Sequence, residues 1–481
     1  MTDNNVKVRI APSPSGYVHV GTARMAICNY LFARHFGGQF LVRIEDTDIE
    51  RSDQSLINPI LDAIKWLGCD WDGEIVRQSE RTEIYKKYAQ QILESGKGYR
   101  CFCTKEQLEQ DRKKGRENKE ASERHNRCYY LTQDEIESKL KAGEKYTIRL
   151  FIPDGETTYD DIVLSEVSRK NEDIEDFIIA RSDGTAVYNL AVVVDDHEMG
   201  ITHVIRGNDH VTNTFKQIHI YNALGFDLPI FGHMPLILRP DKRKVSKRLG
   251  DKGVGEFQAE GFLPEALFNY LCLLGWSPKT DREIYSVKEF IDIFTEKNFN
   301  SSNAVFDENK LIAFNKEHIS LKPAHELAAL VAPLFYEADI QSKYWFETRW
   351  KYLCQVIDVL KGRVKKLSDF VEMGSYFFQF DYKYDEKAKG KHFIPKNIEL
   401  LEALIEKFEK LSEFTHENTE QVITELSEEK QIKKAVIIHP TRLATSGVPG
   451  GPGLYDLLVL LTKPIVIERI KKAIEYIKQN N

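Results

Sequence analysis

Residues 9 to 22 read Arg-Ile-Ala-Pro-Ser-Pro-Ser-Gly-Tyr-Val-His-Val-Gly-Thr, and these residue types at this spacing could handle a phosphate. A short apolar strand, a Pro/Gly turn and a helix start in succession would present backbone N–H groups and the His19 imidazole to a phosphate. Far downstream, Lys244-Val-Ser-Lys-Arg248 supplies ammonium groups suited to charge building on a departing pyrophosphate. Taken singly, a His-x-Gly turn is common, and a basic run of this kind also suits a solvated loop or a localisation signal. The two together, in this order and each flanked by a predicted strand, point to nucleotide chemistry. A second constellation is Cys101-Phe-Cys103 with Cys128-Tyr-Tyr130. Three thiolates at metal-ligand spacing need one more ligand to complete a tetrahedral zinc site, and unpaired reduced thiols are the alternative.

The elements that must position these groups follow from periodicity. Val6 to Ile10 is β-branched and apolar, a buried strand ending at Pro12. From Thr22 to Phe36 apolar residues recur at helical spacing, and Gly37-Gly38 stops the helix. Phe40 to Ile44 is a second strand, and Ser55 to Leu67 a second helix stopped by Gly68. Strand–helix–strand–helix with short joints is a parallel α/β unit, whose ligand sits beyond the carboxyl ends of the strands. Residues 11 to 22 and 45 to 48 fall at that edge.

From about Gly98 to Asp183 the pattern becomes α+β. A charged helical stretch (Lys105 to Ser122) leads into short strands at Tyr146 to Ile152 and Phe177 to Ala180. Leu190 to Val194, His203 to Ile205 and Pro235 to Leu238 have the character of buried strands. After Gly255 the chain turns helical: Pro264 to Leu274, Ser286 to Phe294, and a series from Ala324 onward. The expected division is a Rossmann-type α/β domain in two halves (1–100 and 188–255), an α+β insertion (101–187), and all-α regions at 256–323 and 324–481.

Composition narrows the class. A chain of 481 residues with 42% apolar and 29% charged residues is an ordinary globular protein of roughly three to five compact units. No apolar run approaches a membrane span, and the first residues resemble neither a signal nor a transit peptide. Seven scattered cysteines argue for a reducing compartment, with the cytoplasm as the default. A net charge of -7 neither supports nor excludes nucleic acid, because local stripes at Lys105–Lys119, Lys242–Arg248 and Lys361–Lys366 could still meet phosphates.

His19-Val-Gly-Thr22 and Lys244 to Arg248 resemble the HIGH and KMSKS signatures of class I aminoacyl-tRNA synthetases. Arg9 to Gly16, Arg43-Ile-Glu-Asp-Thr-Asp48, Tyr188-Asn-Leu-Ala191, Asp195-Asp-His197 and Ile205-Arg-Gly-Asn-Asp-His210 are similar to the motifs of bacterial-type glutamyl-tRNA synthetases. The resemblance runs essentially end to end, through Pro264 to Leu271 and Pro452 to Leu458.

That resemblance implies ATP-dependent activation of L-glutamate and its transfer to tRNA(Glu), with tRNA(Gln) as a second candidate acceptor. His19, Lys244 and Lys247 would carry catalysis on the phosphates. Gly21, Thr22, Asp209, Leu236 and Ser246 would join them around ATP, with Gly21 giving the nucleotide close access to the backbone and Mg²⁺ accompanying it. Arg9 and Arg206 would bind carboxylate, Arg206 that of the side chain. Glu45 would take the α-ammonium group, and Ala11, Ser13 and Tyr188 would line the pocket. Bidentate arginine suits a carboxylate for physical reasons too, although Arg9, Glu45 and Arg206 could equally form ordinary sheet-edge ion pairs. Position 192 is valine where some relatives carry a substrate-contacting asparagine. The resemblance also places structural zinc on Cys101, Cys103 and Cys128, with Tyr130 standing where relatives have histidine and His125 as another fourth ligand. Arg363 and Arg442 fall in segments associated with anticodon contacts, and the family suggests a monomer. Rival readings are a shorter paralogue that glutamylates queuosine in tRNA, disfavoured by the long helical tail, and a catalytically dead relative, disfavoured by the intact His19, Lys244 and Lys247.

Overall fold

The computed structural model describes residues 5–47, 53–104, 106–110, 126–245 and 252–480. Asp48, His125, Ser246, Lys247, Arg248 and most of the charged stretch 105–122 lie outside the described residues. The chain forms two compact units, one of residues 1–257 with 267–307 and the other of 258–266 with 308–481.

In the first unit, strands β1 (Lys7–Ile10), β2 (Gln39–Ile44) and β3 (Val76–Arg77) make a parallel sheet in the order β1-β2-β3. Helix Val20–His35 makes the crossover from β1 to β2. It is apolar on nearly every side, with eleven buried residues among them Ala23, Ile27 and Leu31, so it packs as a core helix and not as an amphipathic cover. The return into β2 requires close backbone approach. Gln39 N–H donates to the Val6 carbonyl (2.8 Å), and a Cβ on Gly38 would run into that same carbonyl.

The next stretch of the chain contributes β4 (Gly98–Cys101), β5 (Thr147–Leu150), β6 (Glu156–Asp161), β7 (Ser165–Lys170) and β8 (Ile178–Ala180). Strands β4, β5 and β8 form their own antiparallel sheet. The β6–β7 hairpin joins β9 (His203–Gly207) and β10 (Ile230–Met234) in a four-stranded sheet ordered β7-β6-β10-β9. There β9 and β10 run parallel, with Arg206 paired to His233 in register, and Phe231 of β10 pairs with Asp161 of β6. The β6–β7 hairpin therefore extends the β9–β10 sheet. β1 lies beside β9, where Thr202 N–H donates to the Lys7 carbonyl (2.9 Å). β11 (Ile237–Leu238) and β12 (Ala304–Val305) make a small parallel pair.

Two expectations need correction. Leu190–Val194 is not a strand but lies in helix Tyr188–Glu198. All five residues are fully buried, and a helix enclosed on every side loses the alternation that tells it from a strand. The sheet strand before the basic loop is Ile230–Met234, with only Ile237–Leu238 of the expected 235–238 extended in a ladder. Strands at 203–205, 147–150 and 178–180 and the parallel start of the chain are as expected.

The second unit is helical, built on a core that includes Leu327, Phe335, Leu353, Leu404, Leu457 and Ile470. Helices Ile398–Lys410 and Lys463–Asn480 pack together within it.

Gly38→Ala should destabilise the first unit by about 1–3 kcal/mol or more, since rigid backbone and not a side-chain tip blocks the added methyl. Chemical denaturation checks this; an unchanged midpoint would refute the close approach.

Candidate active site

The carboxyl ends of β1, β2 and β9 open into one cleft of about 310 Å³. Its lining brings together Arg9, Ala11, Ser13, His19, Gly21, Thr22, Glu45, Tyr188, Arg206, Asp209, Leu236 and Lys244. Every described residue expected to bind the amino acid or the nucleotide thus lines a single cavity.

His19 is the N-cap of helix Val20–His35, and its Nδ1 accepts from the N–H groups of Gly21 (3.0 Å) and Thr22 (3.3 Å). Using Nδ1 as acceptor leaves the proton on Nε2, so the imidazole can donate to an anion. A Cβ on Gly21 would lie 2.8–2.9 Å from that ring. In this structure the glycine makes room for the His19 imidazole.

The flanks of the basic loop are fastened beside His19. Val254 N–H donates to the Val18 carbonyl (2.8 Å), and Val245 N–H to the Ile237 carbonyl (3.1 Å). Lys244 Nζ pairs with Asp209 Oδ2 at 2.7 Å, both side chains being nearly half exposed. Leu236 N–H donates to Asn303 Oδ1 (2.9 Å).

Beneath the cleft lies a charge network. Arg9 Nε donates to Asp196 Oδ1 (3.0 Å), and Arg43 Nη1 donates to the same oxygen (2.5 Å). Arg43 Nη2 reaches Glu45 Oε1 at 3.1 Å, and Asp195 is held by Arg81 (2.7 Å), Tyr85 (2.8 Å) and Gln78 (2.8 Å). Burial alone would raise the Asp196 carboxyl, but Arg43 and Arg9 overcome it and hold it at about 2. Burial raises Glu45 above the usual carboxylate range, with Arg43 and Arg9 opposing. Arg9, Arg43 and Arg81 are thus matched by Asp195, Asp196 and Glu45.

Arg206 stands apart. It is buried, and its partners are all neutral: His233 Nε2 (3.3 Å), Thr214 Oγ1 (2.7 Å) and Gln217 Oε1 (2.7 Å). Its Nη1 is buried without a hydrogen-bond partner, and no carboxylate pairs with it among the described residues. Burial lowers its pKa, and Arg9 adds repulsion. His210, also lining the cleft, is pushed down to about 4 by burial and by Arg206, so it is neutral and its Nδ1 lies 3.1 Å from the Tyr188 hydroxyl.

The thiols of Cys101, Cys103 and Cys128 converge with all sulfurs within 4.8 Å of one another. Hydrogen bonding from Cys128, ahead of Arg149, draws the Cys101 thiol down to about 5 against the effect of burial. Tyr130 is exposed, its ring edge-on to Tyr129, whereas Asn126 Oδ1 lies 3.4 and 3.5 Å from the sulfurs of Cys101 and Cys103.

In the second unit, Arg363 is exposed in the turn after helix Trp350–Leu360. Arg442 is half-buried in helix Lys434–Ser446, and its Nη1 is buried without a partner. Burial first, and Arg363 after it, lower the Arg442 pKa, with Tyr376 opposing, so the two arginines share one electrostatic neighbourhood. Lys361 and Lys366 of the expected basic stripe are paired with Asp358 (2.9 Å) and Glu260 (2.6 Å).

Arg43, Asp196, His210, Asp161, His233 and Asn126 received no role from sequence. Asp196 carried a signal nonetheless: two adjacent acids directly after an apolar run have to be buried, and buried acids need cations.

Residues 5–313 match the family described as tRNA synthetases class I (E and Q), catalytic domain, and residues 326–474 match the anticodon binding domain. The chain belongs to the class I tRNA synthetases of this E and Q group. Full-length relatives within that class include glutamate–tRNA ligases. The protein of that description from Coprothermobacter proteolyticus is 44% identical over 98% of both chains, and glutamate–tRNA ligase 2 from Thermoanaerobacter pseudethanolicus is 41% identical over 99% of both. A crystal structure of a glutamate tRNA ligase from Elizabethkingia meningosepticum, in complex with its amino acid, superposes with a TM-score of 0.88 at 32% identity, covering 98% of this chain and 99% of that one.

Asp196→Asn leaves Arg9 and Arg43 short of a counter-charge and should cost about 3–5 kcal/mol of stability. A carboxyl held at about 2 instead of 3.8 contributes stability that is complete above the ordinary value and lost as pH falls through the lower one. Acid unfolding between about pH 4 and 2 should therefore be shallower in the variant. Equal slopes for the two proteins would count against the pairing.

Proposed function

We propose that the protein is a glutamate–tRNA ligase, which joins L-glutamate to tRNA(Glu) through glutamyl-adenylate, with release of pyrophosphate and then AMP. The observation that carries this reading is Arg206: a buried guanidinium in the cleft lining, with neutral hydrogen-bond partners and Nη1 unpaired. A γ-carboxylate there would supply the missing counter-charge, and uncharged glutamine would leave it unmet. Glu45 would receive the α-ammonium group, while Arg9, Ala11, Ser13 and Tyr188 complete the pocket. The glutamate α-carboxylate then attacks the α-phosphorus of ATP, and the bond to pyrophosphate breaks. His19 Nε2–H donates to a phosphate oxygen, with Gly21, Thr22, Leu236 and Ser246 around the nucleotide. Lys244 and Lys247 neutralise the departing pyrophosphate, for which Lys244 must exchange Asp209 for phosphate. Asp209, so released, would be left to the ribose. Bound Mg²⁺ supplies further neutralisation of phosphate charge.

In this reading residues 101–187 receive the acceptor end of the tRNA and 256–323 its stem. Residues 324–481 read the anticodon, with Arg363 and Arg442 against its bases. The three converging thiols have the donor chemistry of a structural zinc site and would hold the metal with one more ligand, Tyr130 or His125. Its role would be to fix the shape of the insertion.

Pyrophosphate exchange that depends on both glutamate and tRNA(Glu) tests the activity; no exchange with any cognate tRNA would overturn it. Arg206→Gln should raise the KM for glutamate about 100-fold, the cost of one charged contact. Charging of purified tRNA(Gln) alongside tRNA(Glu) decides whether both are acceptors. Metal analysis should find one zinc per chain, lost in Cys103→Ser; metal-free wild type would remove the zinc assignment.

A further inference from the structure

Arg206 has to be oriented without being neutralised. A carboxylate placed directly on it would compete with the ligand for the same charge. The structure sets one carboxylate, that of Asp161, an imidazole away. Asp161 Oδ2 lies 2.6 Å from His233 Nδ1, and His233 Nε2 lies 3.3 Å from Arg206 Nε and 2.8 Å from Thr214 Oγ1. All of these side chains are buried, and His233 and Arg206 are register partners on adjacent strands.

We propose that Asp161 and His233 are positioning residues for glutamate binding: Asp161 fixes the His233 tautomer with the proton on Nδ1, so that Nε2 accepts from Arg206 and aims its free Nη1 at the ligand carboxylate. This rests on the reading of Arg206 given above. The other tautomer, or the imidazolium, would set an Nε2–H against the Arg206 Nε–H, donor against donor. Burial and Arg206 depress the His233 pKa although Asp161 opposes them, and His233 helps keep Asp161 ionised, so a neutral ring beside a carboxylate is the stable pair. Asp161 also closes the β6–β7 turn of the insertion. Its Oδ1 accepts from the N–H groups of Val163 (2.9 Å), Leu164 (2.9 Å) and His233 (3.1 Å).

That second duty makes Asp161→Asn a clean test. Three backbone donors require an acceptor, so the amide oxygen takes the Oδ1 place and the amide NH2 turns to His233 Nδ1. Nδ1 must then accept, and the ring proton moves to Nε2 while the turn keeps its hydrogen bonds. The full-length variant, assayed for aminoacylation with tRNA(Glu), should show a glutamate KM raised roughly 10- to 100-fold, with the ATP KM and kcat within about threefold of wild type. The ¹⁵N spectrum of histidine-labelled protein, with His233 assigned by its loss in His233→Phe, should show Nδ1–H in wild type and Nε2–H in Asp161→Asn. His233→Phe should reproduce the KM defect. His233→Gln, whose amide oxygen can stand in for Nε2, should restore the glutamate KM to within about threefold of wild type.

An Nε2–H tautomer in wild type, or an inverted tautomer with an unchanged glutamate KM, would overturn the proposal. Should Asp161→Asn fail to fold, equal glutamate KM values for His233→Phe and His233→Gln would overturn it instead. Arg206→Lys separates the two layers: an unchanged glutamate KM there removes Arg206 as the ligand, whereas a defect there without one in Asp161→Asn removes only the positioning role.

Discussion

A buried positive charge with no negative partner of its own among the described residues governs this site. Arg206 is enclosed by His233, Thr214 and Gln217, which satisfy its geometry and leave its charge. Close by, three arginines are balanced by three carboxylates, so the excess is confined to one guanidinium. Desolvating an unmatched ion is costly, and the cost is tolerated where an incoming ligand removes it. In the function proposed above, selectivity for an acidic side chain rests on that imbalance.

The nucleotide side of the cleft depends on short-range geometry of another kind. The His19 imidazole turns back on its own helix and occupies the space that Gly21 leaves open. That contact selects the tautomer and leaves the remaining proton on Nε2, 3.4 Å from the Thr22 hydroxyl. The strand and bridge contacts at 237–245 and 253–254 then hold both ends of the basic loop next to this cap.

Much of the cleft was legible in the sequence because its residues sit at strand ends and one helix start, where chain direction alone brings them together. Arg9, Glu45 and Arg206 belong to β1, the end of β2 and β9, and the parallel topology carries them to one edge. Leu190–Val194 was misread because an enclosed helix carries no periodic signal. The pairing of Asp161 with His233 left no local trace either, since it joins strands 72 residues apart and arises from an insertion that reads as a separate α+β segment. Asn126 likewise acts through position against the thiols and not through any pattern of spacing. Lys247 lies outside the described residues, so its placement rests on sequence alone.

The ion pair between Arg9 and Asp196 joins residues 187 positions apart, on the first strand and on a helix beyond the insertion. During synthesis at about 5–20 residues per second, roughly 10–40 seconds separate the appearance of the two partners. Throughout that interval β1 and β2 are available, but β9, which lies beside β1, and the acids that neutralise Arg9 and Arg43 are not. The nascent amino-terminal segment therefore waits with its charged groups in water, and the catalytic sheet closes only when residues 196 to 207 leave the ribosome. An enzyme that serves translation has a centre whose assembly is timed by translation itself.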